Sequence, residues 1–208
     1  MTWLQGVHKP LERGLMKRIC VNCGSNPGKK PAYREAAQRL GRTLVSRGLE
    51  LVYGGSEVGL MGEVANAVIE AGGVAIGVIP RSFANRVAHR GLRELHIVES
   101  MHERKQMMFD LSDAFIVLPG GLGTLDEVTE LLTWSQLGLH GKPCGLINVS
   151  GYFDPLLTFL DTAVSEGFMR REHREMLLVS KEPEELLERF GSYSAPKIEK
   201  WPDINPRT

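Results

Sequence analysis

Residues 115–127 read FIVLPGGLGTLDE. Phe115-Ile116-Val117-Leu118 is an unbroken apolar run, the pattern of a strand buried on both faces of a parallel sheet. Pro119 has no N–H to give a ladder, which predicts the end of the strand. Gly120, Gly121 and Gly123 allow a tight turn with bare backbone N–H groups. Thr124 is the expected N-cap of a helix over 125–138, where Leu125, Val128, Leu131, Leu132 and Leu137 recur at helical spacing. A strand, a glycine turn and a helix N-terminus make an anion site, because unpaired N–H groups and the helix dipole both favour negative charge. Phosphate is the expected occupant. Thr124 to Glu127 also satisfies a capping box, in which Glu127 bonds only the cap's own N–H and no ligand is needed. Three glycines in four residues exceed what such a cap requires.

The chain has 208 residues, and its 25 Lys and Arg balance 25 Asp and Glu. That length predicts one domain with a sizeable core, placed at 17–190 between an N-terminal extension, 1–16, and a C-terminal tail, 191–208. Balanced charge gives no reason to expect a nucleic-acid or acidic membrane partner. No apolar run approaches the ~20 residues of a membrane span. Met1–Leu15 carries Lys9, Glu12 and Arg13 without an apolar core, so an extension is expected there in place of a secretory leader. Three cysteines make no disulfide framework. Cys20 and Cys23 stand as C-x-x-C, but Cys20 falls inside a predicted strand and no second pair follows, so neither a metal nor redox chemistry is expected. The expected compartment is the cytoplasm.

Strands are predicted at 18–22, 49–53, 74–79, 96–98, 115–118, 143–149 and 177–179. Helices are predicted at 33–47, 63–71, 101–111, 125–138, 153–163 and 184–190, the last begun by Pro183. Residues 81–94, with Arg81, Arg86, Arg90 and Arg93, read as a loop or short helix over the sheet's edge, or as a solvated connector. This alternation predicts an α/β fold, a Rossmann-like doubly wound parallel sheet with right-handed crossovers. Ligands of such sheets bind beyond the carboxyl ends of the strands. The loops after Asn22, Tyr53, Ile79 and Leu118 meet there, bringing Ser25, Gly54-Gly55, Arg104 and residues 119–127 to one crevice. Neither early glycine-rich loop has the phasing of a dinucleotide or Walker motif. Ser100 and Glu103 form a second capping box, and Arg104 and Lys105 follow near that helix N-terminus, where basic residues oppose the dipole. A local cost without a local gain points to function.

PGGLGTLDE (119–127), preceded by MHERKQMM (101–108), resembles the LONELY GUY family of cytokinin riboside 5′-monophosphate phosphoribohydrolases. CGSNPG (23–28), VYGGSEVGLMG (52–62) and TWSQLGLHGKPCGLIN (133–148) add to the likeness, which runs from about Lys17 to Phe190. The resemblance implies hydrolysis of the N-glycosidic bond of a purine nucleoside 5′-monophosphate to free base and ribose 5-phosphate, with no cofactor. It implies Gly120, Gly121, Gly123 and Thr124 on the 5′-phosphate. It places Glu127 at the ribose, stabilising an oxocarbenium-like transition state and orienting the attacking water. Arg104 matches the catalytic arginine, and Lys105, Thr133, Ser25 and Gly55 match or adjoin ligand positions. Arginine cannot readily act as a general acid, so Arg104 is read as an electrostatic clamp on phosphate or Glu127. Asp126, His89 and water are the candidates for protonating the base.

Many relatives carry a lysine decarboxylase label, which the residues oppose. Pyridoxal chemistry needs a Schiff-base lysine, and apart from His8-Lys9 no His-Lys pair of the decarboxylase kind occurs. Plant-type members place a glutamate where Val87 aligns, which leaves open whether an isoprenoid-modified adenine or plain AMP is preferred. The resemblance also implies a homodimer meeting through 101–111 and 125–138; the alternative is that the methionines there are ordinary core. Two other functions remain: a non-catalytic nucleotide or cofactor carrier of the same fold, which needs the glycine loop without both Arg104 and Glu127, and an AMP nucleosidase of purine salvage.

Overall fold

The computed structural model describes residues 16–196, so the expectations for Met1–Leu15 and for 197–208 lie outside it. Strands β1 (Arg18–Asn22), β2 (Glu50–Tyr53), β3 (Ala75–Pro80), β4 (Glu94–Val98), β5 (Ala114–Val117), β6 (Cys144–Ile147) and β7 (Leu177–Ser180) form one sheet in the order β4-β3-β2-β1-β5-β6-β7. Every pairing is parallel. The helices are α1 (Pro31–Ser46), α2 (Gly59–Glu70), α3 (Arg81–Val87), α4 (Met101–Leu111), α5 (Leu122–Gln136), α6 (Asp154–Ser165), α7 (Arg171–Glu175) and α8 (Pro183–Gly191). The chain builds outward from β1 to β4, then crosses back through α4 to lay β5 on the other side of β1. That reversal between β1 and β5 is the switch point at which a doubly wound sheet opens a crevice.

Period-two alternation sorts the strands between two cores. Ile19, Val21, Leu51, Tyr53 and Ile116 pack with Leu40 and Leu44 of α1, Val64 of α2 and Leu186 of α8. Cys20, Val52, Ile76, Phe115 and Val117 pack with Met108 of α4, Val128 and Leu131 of α5, and Leu160 of α6. Each fully buried leucine stabilises by roughly 2 kcal/mol, so burial of that face, more than helix propensity, holds α1 on the sheet.

Several predicted boundaries move, each for a tertiary reason. Helix α2 begins at Gly59 and not at Glu63, and its N-cap, Val58, offers no side-chain bond. Instead the Leu60 N–H donates to the Gly24 carbonyl at 3.0 Å, a cap supplied from the loop after β1. Helix α5 begins at Leu122, with Gly121 as N-cap and no side-chain cap. Thr124 is therefore inside the first turn, and the capping box with Glu127 does not form. At Ser100 half of the predicted box forms: Glu103 N–H donates to Ser100 Oγ at 3.1 Å, while the Glu103 carboxylate reaches one residue further back and accepts from Glu99 N–H at 2.8 Å instead of from the cap's own N–H. Pro80 is the last residue of β3 and the N-cap of α3 at once. Met107 and Met108 pack into the core, so the methionines of α4 are largely interior. Helix α7 and a 3₁₀ turn at Val149–Gly151 had no predicted counterpart.

Candidate active site

Strands β1 and β5 end in register, Asn22 opposite Val117. Beyond them the Gly24 N–H donates to the Pro119 carbonyl at 3.0 Å, locking the two loops together. A β-carbon on Gly120 would lie 2.1 Å from Thr124 Oγ1 and 2.8 Å from Gly24 N, so only glycine fits. Gly121 and Gly123 differ. Added β-carbons there meet nothing within 4 Å, and neither residue takes a positive φ. Glycine in a helical turn costs about 1 kcal/mol against alanine, and no neighbour requires it at 123. What the pair leaves is an open face of N–H groups at the start of α5, which have no partner inside the helix. The carbonyls of the turn point elsewhere: Pro119 accepts from Gly24, Gly120 from the Tyr152 hydroxyl at 2.6 Å, and Gly121 from Leu125 N–H at 3.0 Å. The turn offers donors outward and keeps its acceptors occupied.

Glu127 follows on α5, its side chain 12% exposed, with Oε1 3.4 Å from Nη1 of the equally buried Arg104. Arg104 crosses from α4 over the ends of two strands. Its Nε donates to the Val78 carbonyl at 3.2 Å, and a β-carbon on Gly54 would come within 2.0 Å of Nη2. Gly54 is therefore the gap through which the guanidinium reaches the carboxylate. Burial pushes the Glu127 carboxyl above the ordinary range, and Arg104 opposes that rise. Behind Glu127 a cavity of about 20 Å³ is lined by Asn22, Lys105 and Glu130 among others. That is room for one water.

The other expected residues divide. Ser25 is exposed on the rim of a cleft of about 280 Å³, together with Gly24, Gly120, Gly121, Tyr33 and Tyr152. Gly55 serves the backbone: it sits at φ +72°, an added β-carbon would lie 3.2 Å from both Ile79 and Leu95, and its carbonyl accepts from His89 N–H at 2.9 Å. Lys105 is held by two carboxylates of α5, Asp126 at 3.1 Å and Glu130 at 3.0 Å. Thr133 is exposed, donates to the Thr129 carbonyl, and lies nine residues beyond Thr124, about 13 Å along the helix. It stands apart from the phosphate turn. His89 has both ring nitrogens engaged: Nδ1 accepts from Gly91 N–H at 3.1 Å, which leaves the Nε2 proton for Asn66 Oδ1 at 3.0 Å. Burial also lowers its pKa, so it is a neutral structural pin with no proton to spare for a leaving base. Among the described residues no group of three or more His, Cys, Asp or Glu could hold a metal ion.

Two residues at the site were not singled out from the sequence: Asn22, a polar residue closing an apolar strand, and Tyr152, from a loop that carries no recognisable motif. Gly54 was expected in the crevice with Gly55, and the structure adds that its missing side chain is the space the Arg104 guanidinium fills.

The family model described as "Possible lysine decarboxylase" matches residues 61–190. The probable cytokinin riboside 5′-monophosphate phosphoribohydrolase LOGL2 of Oryza sativa subsp. japonica is 50% identical over 185 residues, covering 88% of this chain and 75% of the relative. The cytokinin riboside 5′-monophosphate phosphoribohydrolase of Rhodococcoides fascians is 49% identical over 170 residues, covering 81% of this chain and 86% of that protein. The chain belongs to the LONELY GUY family. Solved structures extend the likeness at the level of the fold alone. A molybdenum cofactor binding protein from Rippkaea orientalis superposes with a TM-score of 0.66 at 23% identity, covering 86% of this chain and 98% of that one. The molybdenum cofactor carrier protein of Chlamydomonas reinhardtii gives 0.63 at 21%, covering 83% and 99%. In this LONELY GUY chain the lysine beside the carboxylates does not suit the decarboxylase description. Burial pulls the pKa of Lys105 down, but its bonds to Glu130 and Asp126 outweigh that and raise it. It is thus held protonated, the wrong state for a Schiff-base amine.

Proposed function

We propose that the protein hydrolyses the N-glycosidic bond of purine nucleoside 5′-monophosphates, releasing the free base and ribose 5-phosphate. The 5′-phosphate docks on the N–H face of Gly121–Thr124, where the dipole of α5 favours it. Glu127 then faces the ribose. As the bond to the base breaks, positive charge develops at C1′ and the ring oxygen, and a carboxylate held in a poorly hydrated site stabilises it strongly. Glu127 also orients the water that attacks C1′ and accepts its proton. Arg104 keeps the carboxylate ionised and aimed. Solvent protonates the departing base, since Asp126 is paired as a carboxylate with Lys105.

The observation that carries this reading is the buried Arg104–Glu127 pair next to the glycine turn. A carrier of phosphorylated ligands has use for the turn but none for a shielded carboxylate at the sugar. Incubation with AMP and with isopentenyladenosine monophosphate tests it, with free base followed by chromatography. Release from at least one is expected; tight binding of both with no release in either leaves only a carrier. The same assay ranks the substrates, a choice that falls to the segment around Val87, whose carbonyl accepts from Glu57 N–H at 2.8 Å.

We further infer a homodimer formed through α4 and α5, where Met101, Leu125 and, just past the end of α5, Leu137 are exposed. Sedimentation at a mass twice the chain's 23.1 kDa supports it, and a monomer at micromolar concentration overturns it. No helix among the described residues is long and apolar enough to cross a membrane. A cytoplasmic location fits the three free, buried cysteines.

A further inference from the structure

The loop between β6 and α6 is built to deliver one side chain. Asn148 braces it, accepting from Phe153 N–H at 2.8 Å and donating to Asp154 at 2.7 Å. Ser150 then takes φ 52° and ψ 31°, the one non-glycine residue with positive φ among those described, and Gly151 follows at φ 72°. L-residues resist that left-handed conformation, and where the fold enforces it the segment tends to be functional. Tyr152 emerges next, 41% exposed. Its ring stands edge-on to Tyr33, at 5.7 Å between centroids, and to Phe153, at 5.1 Å. Its hydroxyl donates to the Gly120 carbonyl at 2.6 Å.

That bond has a consequence one atom further on. In a planar trans peptide the carbonyl and the following N–H point in opposite directions. A Gly120 carbonyl held toward Tyr152 therefore turns the Gly121 N–H the other way. Among the three carbonyls of the turn, the Pro119 and Gly121 oxygens are held by backbone donors, Gly24 and Leu125. Only Gly120 depends on a side chain. It is also the carbonyl of a peptide between two glycines, where no β-carbon hinders a flip. Without the hydroxyl, a carbonyl oxygen is free to swing into a place meant for an anion.

We propose that Tyr152 is a positioning residue of the phosphate turn, its hydroxyl latching the Gly120–Gly121 peptide so that an N–H and not a carbonyl meets the 5′-phosphate. This rests on the nucleotide reading of the site, though not on cleavage. The test is AMP affinity, measured by calorimetry in Glu127→Gln protein so that no turnover intervenes, with Tyr152 retained, changed to Phe, and changed to Leu. Phe keeps the ring contacts and loses only the hydroxyl. Both changes are expected to weaken AMP binding about tenfold, as the loss of one fixed bond at a charged ligand does. In otherwise unaltered enzyme, Tyr152→Phe is expected to raise KM for AMP while kcat holds within about threefold. An AMP affinity in Tyr152→Phe equal to the parent's overturns the proposal, whatever Leu does. A loss accompanied by a fall of more than about 5 °C in melting temperature marks a merely structural role and overturns it too. If AMP binds through Tyr152 yet is never cleaved, the hydrolase is lost and the latch stands.

Discussion

Glu127 sits where water is scarce and one guanidinium is close, and its chemistry follows from that balance. Replacing it with Gln, or Arg104 with Ala, is expected to lower the rate of base release by on the order of 10²–10³ while the circular dichroism spectrum is unchanged. Because burial raises the Glu127 carboxyl against the pull of Arg104, kcat/KM should fall on the acid side at a pH above the ~4.3 of an unperturbed glutamate. An acid limb at or below that value contradicts the carboxylate's role. The same shift has a stability sign. The folded protein holds this proton more tightly than the unfolded chain, so the contribution is present below the unfolded pKa and lost as pH rises through the folded one. Glu127→Gln removes that loss. Its melting temperature should exceed the parent's at pH 8, with the gap narrowing as the pH falls to about 4.

At the scale of the element, the start of α5 separates glycines the fold needs from glycines the ligand needs. Gly123→Ala meets no atom within 4 Å, so the free protein should gain about 0.5–1 kcal/mol in denaturant melts while AMP affinity falls. Gly120→Ala meets Thr124 Oγ1 at 2.1 Å and should lose stability outright. Equal behaviour of the two in both assays would remove the phosphate from this turn. Much of this element was legible in the sequence. An apolar run, a proline, a glycine cluster and a leucine stripe are local signals, and each constrains its own backbone. The starts of α2 and α5 were not legible, because neither helix is capped by its own side chains. One borrows a carbonyl from Gly24, thirty-six residues upstream of Leu60, and the other leaves its N–H groups bare. Tyr152, and the role of Gly54 though not its place in the crevice, escaped for a related reason: what makes each matter is an atom of a distant segment, the Gly120 carbonyl in one case and Arg104 in the other.

Over the whole molecule, the fold is shared with a molybdenum cofactor binding protein and a molybdenum cofactor carrier protein, at TM-scores of 0.66 and 0.63, so activity resides in the side chains that this scaffold presents and not in the scaffold. The sheet order β4-β3-β2-β1-β5-β6-β7 puts β1 in the middle, and all its pairing on one side is with a strand made some ninety residues later. A chain cut after α4, at residue 112, therefore ends with Ile19, Cys20 and Val21 along a bare border. Such a fragment should scatter light at micromolar concentration, where the full chain stays clear; a fragment that remains dispersed argues against this. The ribosome makes that fragment in every round of synthesis. From the emergence of α4 until Ala114–Val117 slides into place, the nascent polypeptide carries a sticky seam at its centre. The strand that closes that seam also leads straight into the glycine turn and the helix that carries Glu127, while its own outer edge waits for β6, so the crevice is framed before the sheet is finished.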